Sequence, residues 1–141
     1  MKPLKITAVT LFSLSVVSAQ TLHVDVTGLK NDQGVVQVSL YNKEGSIPDK
    51  TQKNYYKRLR VKIKNHQANA IFKGLEKGRY AVSIYHDENN NGKIDKGLFL
   101  PKEGVGLSNY SSIDFFHLPD FTKASFLLDH DKTVTIEAIY L

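Results

Sequence analysis

The chain of 141 residues contains no cysteine. That one absence excludes disulfides, thiolate metal sites and a cysteine nucleophile together. No apolar run is long enough for a comfortable membrane span; the nearest approach is the stretch from Ile6 to Val17. Internal repeats and low-complexity tracts are absent too. Neither sign of charge dominates: 19 Lys and Arg against 14 Asp and Glu give a net +5. So small a surplus is no argument for a nucleic-acid partner. Without cross-links, stability must come from burial, and the length suits one domain with one core.

What the N-terminus does have is a secretory pattern. Lys2 and Lys5 form a positive region, Ile6 to Val17 is apolar, and Val17-Ser18-Ala19 fits a small-residue cleavage site. Residues 1–19 therefore read as a signal peptide and residues 20–141 as a single mature domain beginning at Gln20. The mature chain is expected outside the cytoplasm, periplasmic or secreted. No Cys stands at the cleavage point, which excludes a lipoprotein anchor, and nothing in 20–141 would span a membrane.

From Thr21 onward the apolar residues recur with period two. Leu22, Val24 and Val26, then Val36, Val38 and Leu40, read as an antiparallel hairpin turned by Gly28 and Asn31 to Gly34. The segment from Asn42 to Lys57 breaks the rhythm, with a helical turn conceivable around Tyr55 to Arg58. Leu59, Val61 and Ile63 resume it, followed by Ala68, Ala70 and Phe72, by Tyr80, Val82 and Ile84, by Phe126 and Leu128, and by Val134 to Tyr140. The spacing Leu75-x-x-Gly78-x-Tyr80 matches a tyrosine corner, which places the strands before and after it on opposite sheets. The expectation is an all-β, antiparallel two-sheet β-sandwich of about seven strands, immunoglobulin-like or prealbumin-like.

The densest polar pattern is D-x-N-x-N-G-x-I-D at Asp87 to Asp95. Hard cations take several oxygen ligands, and short Asp and Asn side chains at alternate positions can turn inward around one point. Asp87, Asn89, Asn91, the Lys93 carbonyl and Asp95 are the candidate calcium ligands, with Gly92 at the sharp bend. The Glu required at the twelfth position is Leu98 here, so Glu103 is the candidate replacement. With so few carboxylates the affinity expected is weak, about 10⁻⁴ to 10⁻³ M. The plain alternative is an Asn/Gly-rich turn between strands. Residues 96–120 then run without a regular period, and loops of that length are often functional.

Other chemistry is sparse. Gly106-Leu107-Ser108-Asn109 begins like a nucleophile elbow but lacks the second glycine. The five histidines show no metal-ligand spacing. His86, Asp87 and Glu103 form a general acid/base cluster only if the long loop folds back over the strand end. Arg58, Arg60, Lys62 and Lys64 line one face of a strand, either as a site for an anionic partner or as a solvated edge that resists pairing with other chains.

Three runs also carry a resemblance: Phe72 to Val82 (F-x-G-L-x-x-G-x-Y-A-V), His86 to Gly92 (H-D-E-N-x-N-G) and Pro101 to Asn109 (P-K-E-G-x-G-x-S-N). With the signal peptide they resemble the bacterial exported family called domain of unknown function 2141. The resemblance extends over the mature chain and implies a prealbumin-like or immunoglobulin-like sandwich and export, with no established activity. The resulting expectation is a non-catalytic exported module with a calcium-stabilised loop at 87–95 and a ligand- or partner-facing loop at 96–120. The alternative is a small periplasmic hydrolase using His86, Asp87 and Glu103.

Overall fold

The computed structural model of the chain describes residues 1–14, 18–93, 103–114 and 116–141. The first 14 form no element, and Leu4, Val9, Leu11 and Phe12 are all exposed. The fold starts at Gln20. Among the described residues eight strands follow in order: β1 (Gln20–Thr27), β2 (Val35–Tyr41), β3 (Lys57–Lys62), β4 (Ala68–Leu75), β5 (Gly78–Asp87), β6 (Val105–Leu107), β7 (Phe126–Leu128) and β8 (Lys132–Glu137). A single-turn helix α1 (Phe121–Ala124) precedes β7, with Asp120 as its N-cap accepting from the Lys123 N–H.

Two sheets face each other, as the alternation requires. One has the order β4-β1-β8, the other β3-β2-β5-β6 with β7 also paired to β5. Leu22, Val24 and Val26 on β1 and Ala70 and Phe72 on β4 meet Val36, Val38 and Leu40 on β2 and Val82 and Ile84 on β5. Each fully buried Val or Leu contributes about 1.5–3 kcal/mol. Tyr80 makes the expected corner: its hydroxyl donates to the Glu76 carbonyl at 2.8 Å, and β4 and β5 belong to different sheets.

Four expectations are corrected. β1 and β2 do not form a hairpin; β1 pairs with β4 and β8, and β2 with β3 and β5. A one-sided apolar stripe demands a facing layer, and alternation alone does not say which strand lies alongside. The segment between them is fastened instead to the 64–67 turn: Leu29 N–H donates to His66 O, and Asp32 accepts the N–H groups of Asn65 and His66. Second, the sandwich is not wholly antiparallel, because β8 runs parallel to β1. Third, the aperiodic stretch holds the three-residue strand β6, too short to show a period, which brings the strands among the described residues to eight. Fourth, Lys57 and Arg58 are strand rather than helix, and Tyr56 N–H donates to Leu40 O.

There is also a second apolar cluster. Tyr41, Ile47, Ala81, Leu107, Phe121 and Ala124 pack on the outer side of the five-stranded sheet. Ser108 and Asn109 fasten α1 there. The Ser108 hydroxyl donates to Ala124 O and accepts from Val82 N–H, and Asn109 Nδ2 reaches the carbonyls of Lys123, Ala124 and Ser125. Ser108 is buried and doubly bonded, a brace rather than a nucleophile.

Candidate functional site

Strand β5 delivers His86 and Asp87 to opposite faces, because successive strand residues alternate. His86 lies at the inner end of the sandwich and is fully buried. Its Nε2 is 2.6 Å from the Gln33 carbonyl, which can only accept, so Nε2 carries the proton. Nδ1 then accepts from the Tyr140 hydroxyl at 2.8 Å, and that hydroxyl in turn accepts from Lys30 N–H. Both ring nitrogens are committed to structure. Glu103 is buried as well, with Oε1 accepting the Glu88 N–H at 3.1 Å. The long segment does return to the base of the 87–93 loop, yet His86 and Asp87 do not share a space in which to act together.

Asp87 is fully buried on the outer side. Its Oδ2 pairs with Arg60 Nη2 at 2.7 Å and accepts the Gly92 N–H at 2.8 Å; Oδ1 accepts the Asn91 N–H. Burial pushes the carboxyl pKa up, but the Arg60 hydrogen bond, the two amides and the Arg60 charge outweigh it and hold it below the ordinary range. Asn89 Oδ1 accepts the Asn91 N–H, and Asn91 Oδ1 the Lys93 N–H, so these oxygens wind the turn upon itself. Arg60 also reaches Asn90 Oδ1. As placed, the positive charge on Asp87 is a guanidinium. Asp95 lies outside the described residues, as do Ile94 and 96–102. Among the described residues no group of three or more His, Cys, Asp or Glu is arranged to hold a metal ion.

The cationic row divides in two. Lys62 and Lys64 are exposed. Arg58 and Arg60 instead lie across the outer face of the sheet, where strand register builds two lateral rows. One runs Arg58, Ser39, Ser83, Leu107; the next runs Arg60, Gln37, Tyr85, Val105. Arg58 Nε donates to Ser39 Oγ at 2.9 Å, and Arg60 Nη1 to Gln37 Oε1 at 3.1 Å. Gln37, Ser39, Tyr41 and Tyr85 are all at least 95% buried. Such groups would normally face water on the outside of a sandwich, but Ile47 to Gln52 on one side and Leu107, Ile113 and Pro119 on the other roof them over.

Under that roof is a half-open cavity of about 150 Å³, lined by the whole of the Arg58 row, by Gln37, Tyr85 and Val105 of the other, and by Tyr41, Ile47, Asp49, Gln52, Ile113 and Pro119. Burial raises the Tyr41 phenol pKa well above its usual value, with the Asp49 charge adding to it, and burial likewise raises that of Tyr85. Both phenols therefore stay protonated as donors. Asp49 accepts from the Tyr41 hydroxyl, Thr51 Oγ1 and the N–H groups of Lys53 and Asn54, so its oxygens close the 49–54 turn.

Sequence reasoning singled out Arg58 and Arg60 but missed Gln37, Ser39, Ser83 and Tyr85. Their signal was the polar half of the alternation in β2 and β5, which looks the same whether the face is solvated or roofed. The glycines of the Glu103-Gly104-x-Gly106 run are explained by contact: a Cβ on Gly104 would lie 2.6 Å from the Tyr140 ring, and one on Gly106 2.7 Å from Ile136 Cγ2.

Comparison with known families gives one match, over residues 24–137, to the family described as "Uncharacterized protein conserved in bacteria (DUF2141)". Neither curated proteins nor solved structures yield a match.

Proposed function

The chain belongs to this uncharacterised bacterial family, DUF2141, and from that premise we propose that it is an exported, non-catalytic β-sandwich module that binds a small polar ligand. The ligand sits in the cavity on the outer face of the five-stranded sheet. The observation that carries this reading is the roofed polar face itself. Gln37, Ser39 and Tyr85 are buried, yet open space remains beside them. Concave sites with a few convergent polar groups are the usual form of ligand pockets. At about 150 Å³ the space equals roughly five water molecules of liquid, which suits a small molecule or the end group of a larger one. Export is supported by the basic and apolar N-terminus, whose described part joins no element, and by a fold that starts at Gln20. The hydrolase alternative draws no support from His86, whose two nitrogens are occupied.

The test is amide-resolved NMR of the chain from Gln20 onward, which contains every strand, against acetate, acetamide and glycerol. Shifts should concentrate at Ser39, Ser83 and Leu107, and Ser83→Leu, which fills the cavity, should abolish them. Absence of shifts with every probe, or shifts indifferent to Ser83→Leu, would reject the cavity as the site.

A second reading concerns calcium at loop 87–95. The alternate oxygen spacing favours it, and Arg60 on Asp87 opposes it, since an ion there must displace the guanidinium. A melting temperature raised by a few degrees in millimolar calcium, and no longer raised in Asp87→Ala, supports calcium. Indifference of the wild type leaves Arg60 as the cation of this loop.

A further inference from the structure

We propose that the ligand bound in the outer-face cavity carries a carboxylate and that Arg58 receives it. The inference rests on the cavity reading above and adds the chemistry of the ligand.

Two arginines face this side of the sheet, and they differ in what neutralises them. Arg60 is paired with Asp87 at 2.7 Å. Arg58 makes no ion pair among the described residues, although it is half-buried and lines the cavity. A guanidinium partly removed from water without an anion is an unbalanced charge, and low-dielectric surroundings increase its attraction for one.

Arg58 is also held in place. Nε donates to the buried Ser39 hydroxyl at 2.9 Å, Nη2 to the Gln52 carbonyl at 3.3 Å, and the guanidinium lies 3.9 Å from the centroid of the Tyr55 ring. Nη1 has no hydrogen-bond partner among the described residues. A planar fork fixed on one edge and by stacking, with the other amino group open, is pre-organised for a planar oxyanion. Fixing it in advance removes an ordering cost from binding.

The one carboxylate in the wall, Asp49, is not a competitor for this role. It lies beyond ion-pair distance of Arg58, and its oxygens accept from the Tyr41 hydroxyl, Thr51 Oγ1 and two backbone N–H groups. The cavity holds a short carboxylic acid or the carboxylate end of a longer molecule.

The experiment compares acetate, acetamide and inorganic phosphate as NMR titrants of the chain from Gln20 onward. Acetate should bind in the cavity at least about tenfold more tightly than acetamide, the ratio expected for an added charge-assisted hydrogen bond. Arg58→Gln should remove that preference while acetamide binding persists, and Arg58→Lys should restore only part of it. Ser39→Ala, which releases Nε without removing the charge, should weaken acetate more than acetamide and so shrink the ratio between them; it serves should Arg58→Gln fail to fold. Equal affinity for acetate and acetamide would overturn the carboxylate proposal while leaving the cavity reading intact. Phosphate binding as tightly as acetate would also overturn it. Binding of no probe at all would overturn both.

Discussion

The outer faces of the two sheets are written in the same alternating code and end up in different environments. On the three-stranded sheet the outward residues His23, Asn69, Ile71, Thr133 and Thr135 are exposed. On the five-stranded sheet the outward Gln37, Ser39, Tyr41 and Tyr85 are buried beneath two connecting segments. A polar residue at an outward position therefore does two unlike jobs in this molecule. On one face it is solvated and replaceable. On the other it is part of a hydrogen-bonded floor from which no buried side-chain polar atom is left unpartnered among the described residues, and that floor borders the cavity. Burial of polar groups is costly unless they are satisfied, so a satisfied polar layer with space above it is a feature to explain by use.

The sharpest way to break this comparison is a matched pair of glycines. Gly34 enters the five-stranded sheet and Gly74 ends the three-stranded sheet's edge strand, and both have φ of +69°. A Cβ on Gly34 would meet the Asp87 carbonyl oxygen and the Glu88 backbone, whereas on Gly74 it meets nothing within 4 Å. Gly74→Ala should cost about 1 kcal/mol, the strain of the left-handed region alone. Gly34→Ala should cost about 3 kcal/mol or more, since backbone must move as well. Urea unfolding of both variants reads the difference, and equal losses would mean that the rim of the five-stranded sheet is no more constrained than the opposite edge.

A smaller contrast compares the anions. On the solvated face Asp25 accepts from Asn69 Nδ2 at 2.6 Å, and Asp25→Asn should change stability by less than about 0.5 kcal/mol. On the roofed side Arg60→Gln leaves the buried Asp87 without its cation. Breaking buried pairs costs about 3–5 kcal/mol, which reduces here to about 2 because the Arg60 side chain is one-third exposed. The pH dependence follows from Asp87's depressed pKa. A carboxylate lowered in the folded state contributes stability above its ordinary value of 3.8 and loses it as the pH falls through the lower folded value. The gap between wild type and Arg60→Gln should therefore be full at neutral pH and close below 3.8 as Asp87 becomes protonated in both. A gap equal at neutral and strongly acidic pH would place the effect of Arg60 elsewhere.

Much of the architecture was legible in the residue pattern. Period-two alternation with a Tyr80 corner is enough for an all-β sandwich, because each one-sided strand must bury its stripe against a second layer. The Asp87 to Gly92 spacing was likewise enough to locate a tight polar turn at the end of β5. Strand partnership was not legible: β1 and β2 carry the same stripe whether they are neighbours or face each other, and only the crossover through Leu29 and Asp32 separates them. Nor was the role of His86 beside Asp87, since alternation sends them to opposite faces and their hydrogen bonds come from Gln33, Tyr140 and Arg60, all distant in sequence. The chain by itself determined local conformation and which side of each strand is apolar, properties set by neighbours within a few residues. Tertiary structure alone decided which polar face is roofed, that Arg60 and not Arg58 meets a carboxylate among the described residues, and that a cavity lies beside Arg58. Those outcomes depend on segments far apart in the chain arriving at one place.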